Sequence, residues 1–409
     1  MNARTRTMRA ETGLRWAAIA LGASLPISVA LDNLLFVAIL VCWLGAADYR
    51  RRLLAAWRDP VVRTTLALLA LLLVGCAYGP GNAQDSAHFL RKYSNLLLIP
   101  LLLSSLWTPR HKDYALAGFA AAMALTLLLS YAFWWHLIPL ERLENRQADN
   151  PVVFKLHITH GIFMAYAAYL AAVEALRRPQ LHLRLLLGAG ALLAAFNVLF
   201  MVQGRTGYLV LGALAAWFFF VCFRWRGLAL AGLAGLVLLA AAWMLHLPLV
   251  DRLALMLAEY QQWRPGGGGD TSIGIRLDYY RSSLAIIAGH PFFGVGTGGF
   301  MTAYAAVTAG SGLPVSNNPH NQYLLVTAQF GLLGLLLLLA LFISVWRSAR
   351  RLPQTSRLAA QGLVITLVLG CLLNSLLIDH SEGMFFAWLV GVLLAPTAAP
   401  SVTANDAAR

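Results

Sequence analysis

Apolar residues recur along this chain in blocks of about 17 to 24, each long enough to cross a hydrocarbon core. The pattern predicts membrane helices near Leu14–Ala30, Leu34–Ala47, Thr64–Tyr78, Tyr93–Trp107, Tyr114–His136 and His157–Leu176. It predicts further helices near Leu185–Val202, Gly207–Phe223, Leu228–Leu245, Tyr323–Trp346, Leu358–Leu377 and Gly383–Pro396, twelve in all. The first is not a cleaved leader: Asp32-Asn33 replaces a small-residue cleavage site, and another apolar run follows at once.

The pattern changes between the ninth and tenth spans, where Leu247–Gln322 is polar and irregular. Pro248–Trp263 places Leu249, Val250, Leu253, Leu257 and Tyr260 on one helical face, which predicts an amphipathic helix along the membrane surface. The run Gly266–Gly269 and Asp270 then break it. That run lacks the Lys-Ser/Thr of a phosphate cradle and reads as a hinge. A helical segment follows from Thr271, then the turn His290–Gly296 and a second short helix from Gly299. The organisation expected is one integrated membrane domain: nine helices over 1–246, an outer loop over 247–322, and three helices with a short tail over 323–409.

Composition agrees. With 59% hydrophobic and 12% charged residues and a mean hydropathy of +0.68, 409 residues offer too little polar surface for a soluble protein. Cys42, Cys76, Cys222 and Cys371 fall in or at the edge of apolar runs without paired spacing, so they read as packing residues.

Lysines and arginines divide unequally between the two sides, 21 against 10, which puts both termini in the cytoplasm and the long loop outside. Much of the net charge of +14 is thus topological, basic anchoring to membrane lipid, and gives no reason to invoke nucleic acid.

The outward cations carry the chemistry: Arg91, Lys92, Arg142, Arg146, Lys155, Arg205, Arg252, Arg264, Arg276 and Arg281. Arg205 sits in Gln203-Gly204-Arg205-Thr206-Gly207, a hairpin too short to carry its guanidinium clear of the membrane surface. It either snorkels to a lipid headgroup or binds an anion, and the flanking glycines would let a large ligand approach the backbone. Arg91-Lys92 and Arg276 could converge on the same anion, and guanidinium forks suit the two phosphates of a pyrophosphate. His320, after Pro319, suits the first turn of a helix, where the positive end of the dipole keeps an imidazole neutral. It is either a hydrogen-bonded surface residue or a base. His157 and His160 lack an acidic or Cys partner, and no Asp-x-Asp occurs, so no metal site and no cofactor is expected.

The motifs Gln203-Gly204-Arg205-Thr206-Gly207-Tyr208, Gly274-Ile275-Arg276, His290-Pro291-Phe292-Phe293-Gly294-Val295-Gly296 and Asn318-Pro319-His320-Asn321-Gln322-Tyr323-Leu324, in this order and on one face, resemble the bacterial O-antigen ligase family. That superfamily also holds O-antigen polymerases and protein O-oligosaccharyltransferases. The resemblance implies an all-α, GT-C-like glycosyltransferase of the bacterial inner membrane, with its active site facing the periplasm. It implies an undecaprenyl pyrophosphate-linked O-antigen donor, a lipid A-core acceptor, inversion at the anomeric carbon and no metal. Carried onto this chain, it makes His320 the general base and Arg205 and Arg276 the pyrophosphate ligands; Arg91, Lys92, Asn321 and Asp379 are further candidate substrate-binding residues. Asp379 would orient His320 or be an ordinary hydrated loop acid. Polymerase, protein oligosaccharyltransferase and, last, a polyprenyl-glycan transporter remain open; a transporter would want charge buried at mid-membrane.

Overall fold

The computed structural model describes residues 3–46, 48–138, 150–265 and 271–397. The run Gly266–Gly269 with Asp270, the outward Arg142 and Arg146, and the terminal Arg409 lie outside the described residues. In chain order the helices are α1 (Ala3–Ser24), α2 (Val29–Gly45), α3 (Tyr49–Ala56), α4 (Pro60–Gly75), α5 (Ala83–Tyr93), α6 (Leu98–Leu103), α7 (Pro109–Trp134), α8 (His157–Arg177) and α9 (Leu181–Phe196). They continue as α10 (Arg205–Phe223), α11 (Trp225–Met244), α12 (Pro248–Gln262), α13 (Ser272–Gly289), α14 (Gly299–Val307), α15 (Gln322–Ala349), α16 (Gln354–Leu373) and α17 (His380–Leu394).

The described residues hold helices and no strand, and several of those helices are apolar enough to make this a multi-pass membrane protein. Among the described residues seven helices are by themselves long and apolar enough to cross a membrane: α7, α8, α9 with its π-helical extension to Met201, α10, α11, α15 and α16. The number is eight if α2 and α3 form one bent span. The predicted twelve are not reached: α1, the shorter α4 and α17, and the broken Tyr93–Trp107 segment fall short of that combination of length and apolarity. Tyr93–Trp107 is not one helix: α5 ends at Tyr93, Ser94–Leu97 is a 3-10 turn, and α6 ends at Leu103. Pro100 supplies the reason, having no N–H to return to the carbonyl of Leu96. Leu14–Ala30 also breaks earlier than expected, at Ser24, ahead of Pro26. Ser28 caps the next helix by accepting from Leu31 N, so Asp32 falls inside the first turn of α2.

Helices differ in what covers them. α16 has 61% of its most apolar window buried against protein and α11 only 11%, so α11 presents its apolar surface to lipid. The centre is α17, whose Phe385 packs on Phe119 and Phe163 at ring separations of 5.0 and 4.7 Å, while Trp388 donates to Ala18 O. Tyr166 and Tyr169 of α8 donate to Ala359 O and Leu358 O of α16.

The segment between α11 and α15 folds back onto this bundle: α12 packs on α11 and α13, and α13 packs on α14 and α15. Its turn is inserted into a break in α15. Gly331 adopts φ 62°, ψ −158°, which a helix cannot contain, and frees the carbonyls of Ala328 and Gln329 and the N–H groups of Leu332 and Leu333. The turn satisfies all four. Val295 N and Gly296 N donate to Ala328 O and Gln329 O, and Pro291 O and Phe292 O accept from Leu332 N and Leu333 N. Any side chain at Gly331 would meet the backbone of Phe292 at 2.1 Å, so the site requires glycine twice over.

Candidate functional site

The hairpin before α10 is shaped by a chain of buried amides and hydroxyls. Asn197 opens a π-helical turn, Asn197–Met201, and its side chain donates to Ser130 Oγ (2.8 Å) while its Oδ1 pairs with His160 Nε2 (3.0 Å). Such a turn inside an α-helix offsets the residues that follow, and it occurs often beside functional sites. Gln203 N then donates to Asn150 Oδ1, and Gly207 lies against Gly161 with an added Cβ meeting Gly161 Cα at 3.1 Å. The result is that α10 begins at Arg205, with no side chain capping its N-terminus. The positive end of the helix dipole and the Arg205 guanidinium share one place.

A cavity of about 230 Å³ opens there. His157, Gln203, Arg205, Tyr208, Arg252 and Arg276 are among the residues lining it. Arg205 Nη2 pairs with Glu259 Oε2 at 3.4 Å, and the same oxygen accepts from Ile273 N at 3.1 Å. Arg205 Nη1 is buried without a hydrogen-bond partner. A buried, unmatched guanidinium nitrogen is costly unless something anionic meets it. Arg276 is held below its ordinary value first by burial and also by the charge of Arg205, while the Tyr280 phenol opposes the shift. A bound anion would relieve that electrostatic pressure.

α13 links the cavity to His320. Tyr279 and Tyr280 follow Arg276 by three and four residues, the spacing of one helical face. Tyr279 stacks on the His320 ring with centroids 6.1 Å apart, and Tyr280 Oη reaches His320 O at 3.5 Å and Leu372 O at 3.1 Å. His320 does not open α15, as its place after Pro319 suggests; it lies just outside. Its φ is 54°, a left-handed value incompatible with the helix, and Asn321 is the N-cap, accepting from Leu324 N at 3.0 Å. Asn318 Oδ1 accepts from His320 N and from Ser375 Oγ, Asn321 Nδ2 donates to Leu372 O, and Gln322 bridges Tyr93 Oη and Leu377 N. The loop thus fixes an unusual backbone, a place where strain accompanies function in many proteins. Burial, and secondly the charge of Arg276, hold the His320 imidazole below its ordinary value, so the ring is neutral at neutral pH.

The expected residues therefore divide. Arg205 and Arg276 line one cavity, and the charge of Arg276 reaches His320. Asn321 has its amide engaged in capping and in holding Leu372. Arg91 and Lys92 lie in the last turn of α5, away from the lining, and the charge of Lys92 acts on Asp379. Asp379 stands just before α17; burial raises its carboxyl, with Lys92 opposing, and the hydrogen bonds found hold it to neither ring nitrogen of His320. His160 is committed to Asn197. Among the described residues no group of three or more His, Cys, Asp or Glu side chains gathers as a metal site.

Sequence reasoning missed Arg252, Tyr208, Glu259 and the Tyr279–Tyr280 pair. Arg252 stood among the outward cations and Tyr208 within a motif, but only tertiary packing brings them to Arg205.

No curated protein matches the chain. The stretch from α9 to the middle of α15 holds the π turn, α12 to α14 and His320, and this stretch, residues 190–339, matches the family model described as O-antigen ligase.

Proposed function

We propose that this protein is a membrane glycosyltransferase that moves O-antigen polysaccharide from undecaprenyl pyrophosphate to a sugar hydroxyl of lipid A-core. In this reading α1, α2, α4, the broken α5–α6 element and α17 cross the membrane along with the seven long helices. The resulting twelve crossings form a GT-C-like arrangement in the bacterial inner membrane, with both termini cytoplasmic and the cavity periplasmic. The observation that carries the reading is the convergence of Arg205 and Arg276 on one cavity, with the charge of Arg276 reaching a neutral, conformationally fixed His320 outside the lining.

His320 takes the proton from the acceptor hydroxyl as its oxygen attacks the anomeric carbon. The bond from that carbon to the pyrophosphate oxygen breaks, and the leaving group departs with the electron pair. Arg205 and Arg276 meet the charge that grows there, a task that cations do without a divalent ion. A single displacement inverts the anomeric configuration. The polyprenyl chain and the acceptor lipid stay in the bilayer, which calls for a site open sideways between helices.

The test is transfer by the reconstituted full chain, supplied with radiolabelled lipid-linked glycan and a choice of acceptors. Label is expected on lipid A-core. Label appearing only on a second lipid-linked glycan, or on protein hydroxyls, would replace this reading with a polymerase or a protein oligosaccharyltransferase.

A further inference from the structure

Arg252 and Glu259 lie seven residues apart on α12, two turns along one face, and both reach the N-terminus of α10. Arg252 lines the cavity, and its Nη1 donates to Tyr208 Oη and, at 3.4 Å, to Val202 O. Glu259 is only 9% exposed. It is held by a guanidinium and by Ile273 N in the first turn of α13, the kinds of donor that hold a phosphate oxygen. It nevertheless leaves Arg205 Nη1 buried and unmatched. The local charge is three guanidinium groups against one carboxylate, a surplus of two. A pyrophosphate esterified at both ends carries two negative charges, and a monophosphate diester carries one.

We propose that α12 sets the charge selectivity of the donor site, with Arg252 as a third phosphate-binding cation and Glu259 as a resident carboxylate that limits the surplus to two. This rests on the reading of the cavity as a pyrophosphate site. The surplus matches a polyprenyl pyrophosphate donor and disfavours a polyprenyl monophosphate one. It also bears on release: when the glycan leaves, the pyrophosphate gains a free terminus and a further negative charge, and Glu259 competes with it for Arg205. Without Glu259 the product would be held too tightly.

The experiment measures inhibition of transfer, and direct binding, by inorganic pyrophosphate on the full-length protein in nanodiscs. The variants are R252Q, R252K, E259Q and R205Q, each with its thermal midpoint recorded. R252Q should weaken pyrophosphate binding about 10- to 100-fold, the effect of losing hydrogen bonds from a charged group. R252K should fall between R252Q and the parent. E259Q, nearly isosteric, should move the other way, binding pyrophosphate about tenfold tighter and lowering KM and kcat together. Opposite shifts in one measurement are not what a mere anchor for α12 would produce. If R252Q and E259Q both lower the thermal midpoint and leave binding unchanged or weaken it alike, the pair is an anchor and the proposal is overturned. R205Q separates the two levels: unchanged binding in R205Q sinks the pyrophosphate site itself, whereas loss in R205Q without opposite shifts at α12 sinks this proposal alone.

Discussion

The Asp32 carboxylate is wholly buried, yet it accepts from Ser24 Oγ at 2.6 Å and from Lys155 Nζ at 3.4 Å, with His380 Nε2 3.8 Å away. Arg205 is also drawn inward, but it faces two more arginines, a single carboxylate and no partner for one of its nitrogens. The first cluster answers its charge from within the protein and ties α2, the segment before α8, and α17 together. The second leaves positive charge unanswered. Charge that is balanced holds a fold together, and charge left over where a cavity opens indicates what the protein receives.

That contrast can be broken from either side. The largest effect is expected at the chemistry: His320→Ala should cut transfer by about two to four orders of magnitude while leaving the thermal midpoint and pyrophosphate binding nearly unchanged. Near-normal turnover in a purified assay would remove His320 from the role of base. In the balanced cluster the loss should be of stability instead. Lys155→Met strands Asp32 without its ammonium partner, and breaking such a buried pair costs about 3 to 5 kcal/mol. A fall in thermal midpoint, with transfer per folded molecule preserved, is the expected result; lost turnover at unchanged stability would move this cluster into the machinery.

A smaller effect comes from pH. In the proposed mechanism the neutral imidazole is the active form, and His320 is held below its ordinary value by burial and by Arg276. Transfer should thus be full above that lowered value and fall about tenfold per pH unit as acidity rises through it. Arg276→Ala should move the midpoint of the acid limb upward, and an unmoved midpoint would show that some other group titrates. The smallest effect is none: excess EDTA should leave transfer intact if, as proposed, guanidinium groups meet the leaving pyrophosphate. Loss on chelation, restored by one divalent ion, would point to Asp278, Asp379 and His157.

Period and punctuation alone disclosed the elements of the outer loop. The face of Leu253 and Leu257 gives α12, and Gly294 and Gly296 mark the turn. Motif order disclosed Arg205, Arg276 and His320. Several features stayed hidden because they are made by contacts remote in sequence. Nothing local distinguishes Arg252 from Arg264 until tertiary packing brings Arg252 to Val202 and Tyr208. Glu259 reads as an ordinary charge on the polar face of an amphipathic helix until Arg205 and Ile273 meet it. The Ser94–Leu97 break was concealed by an apolar run whose Pro100 was available to read, and the left-handed backbone of His320 is imposed by Asn318 and Asn321.

The break in α15 has a consequence for how the protein is made. As the ribosome delivers α15 to the bilayer, Ala328, Gln329, Leu332 and Leu333 can pair only with one another, along an unbroken helix, because lipid offers neither donor nor acceptor. The bend becomes stable only once Pro291–Gly296 lies beside it and takes up those four groups. Docking of the preceding turn therefore comes before the final shape of the helix that follows, and a chain whose turn failed to dock would retain a straight α15.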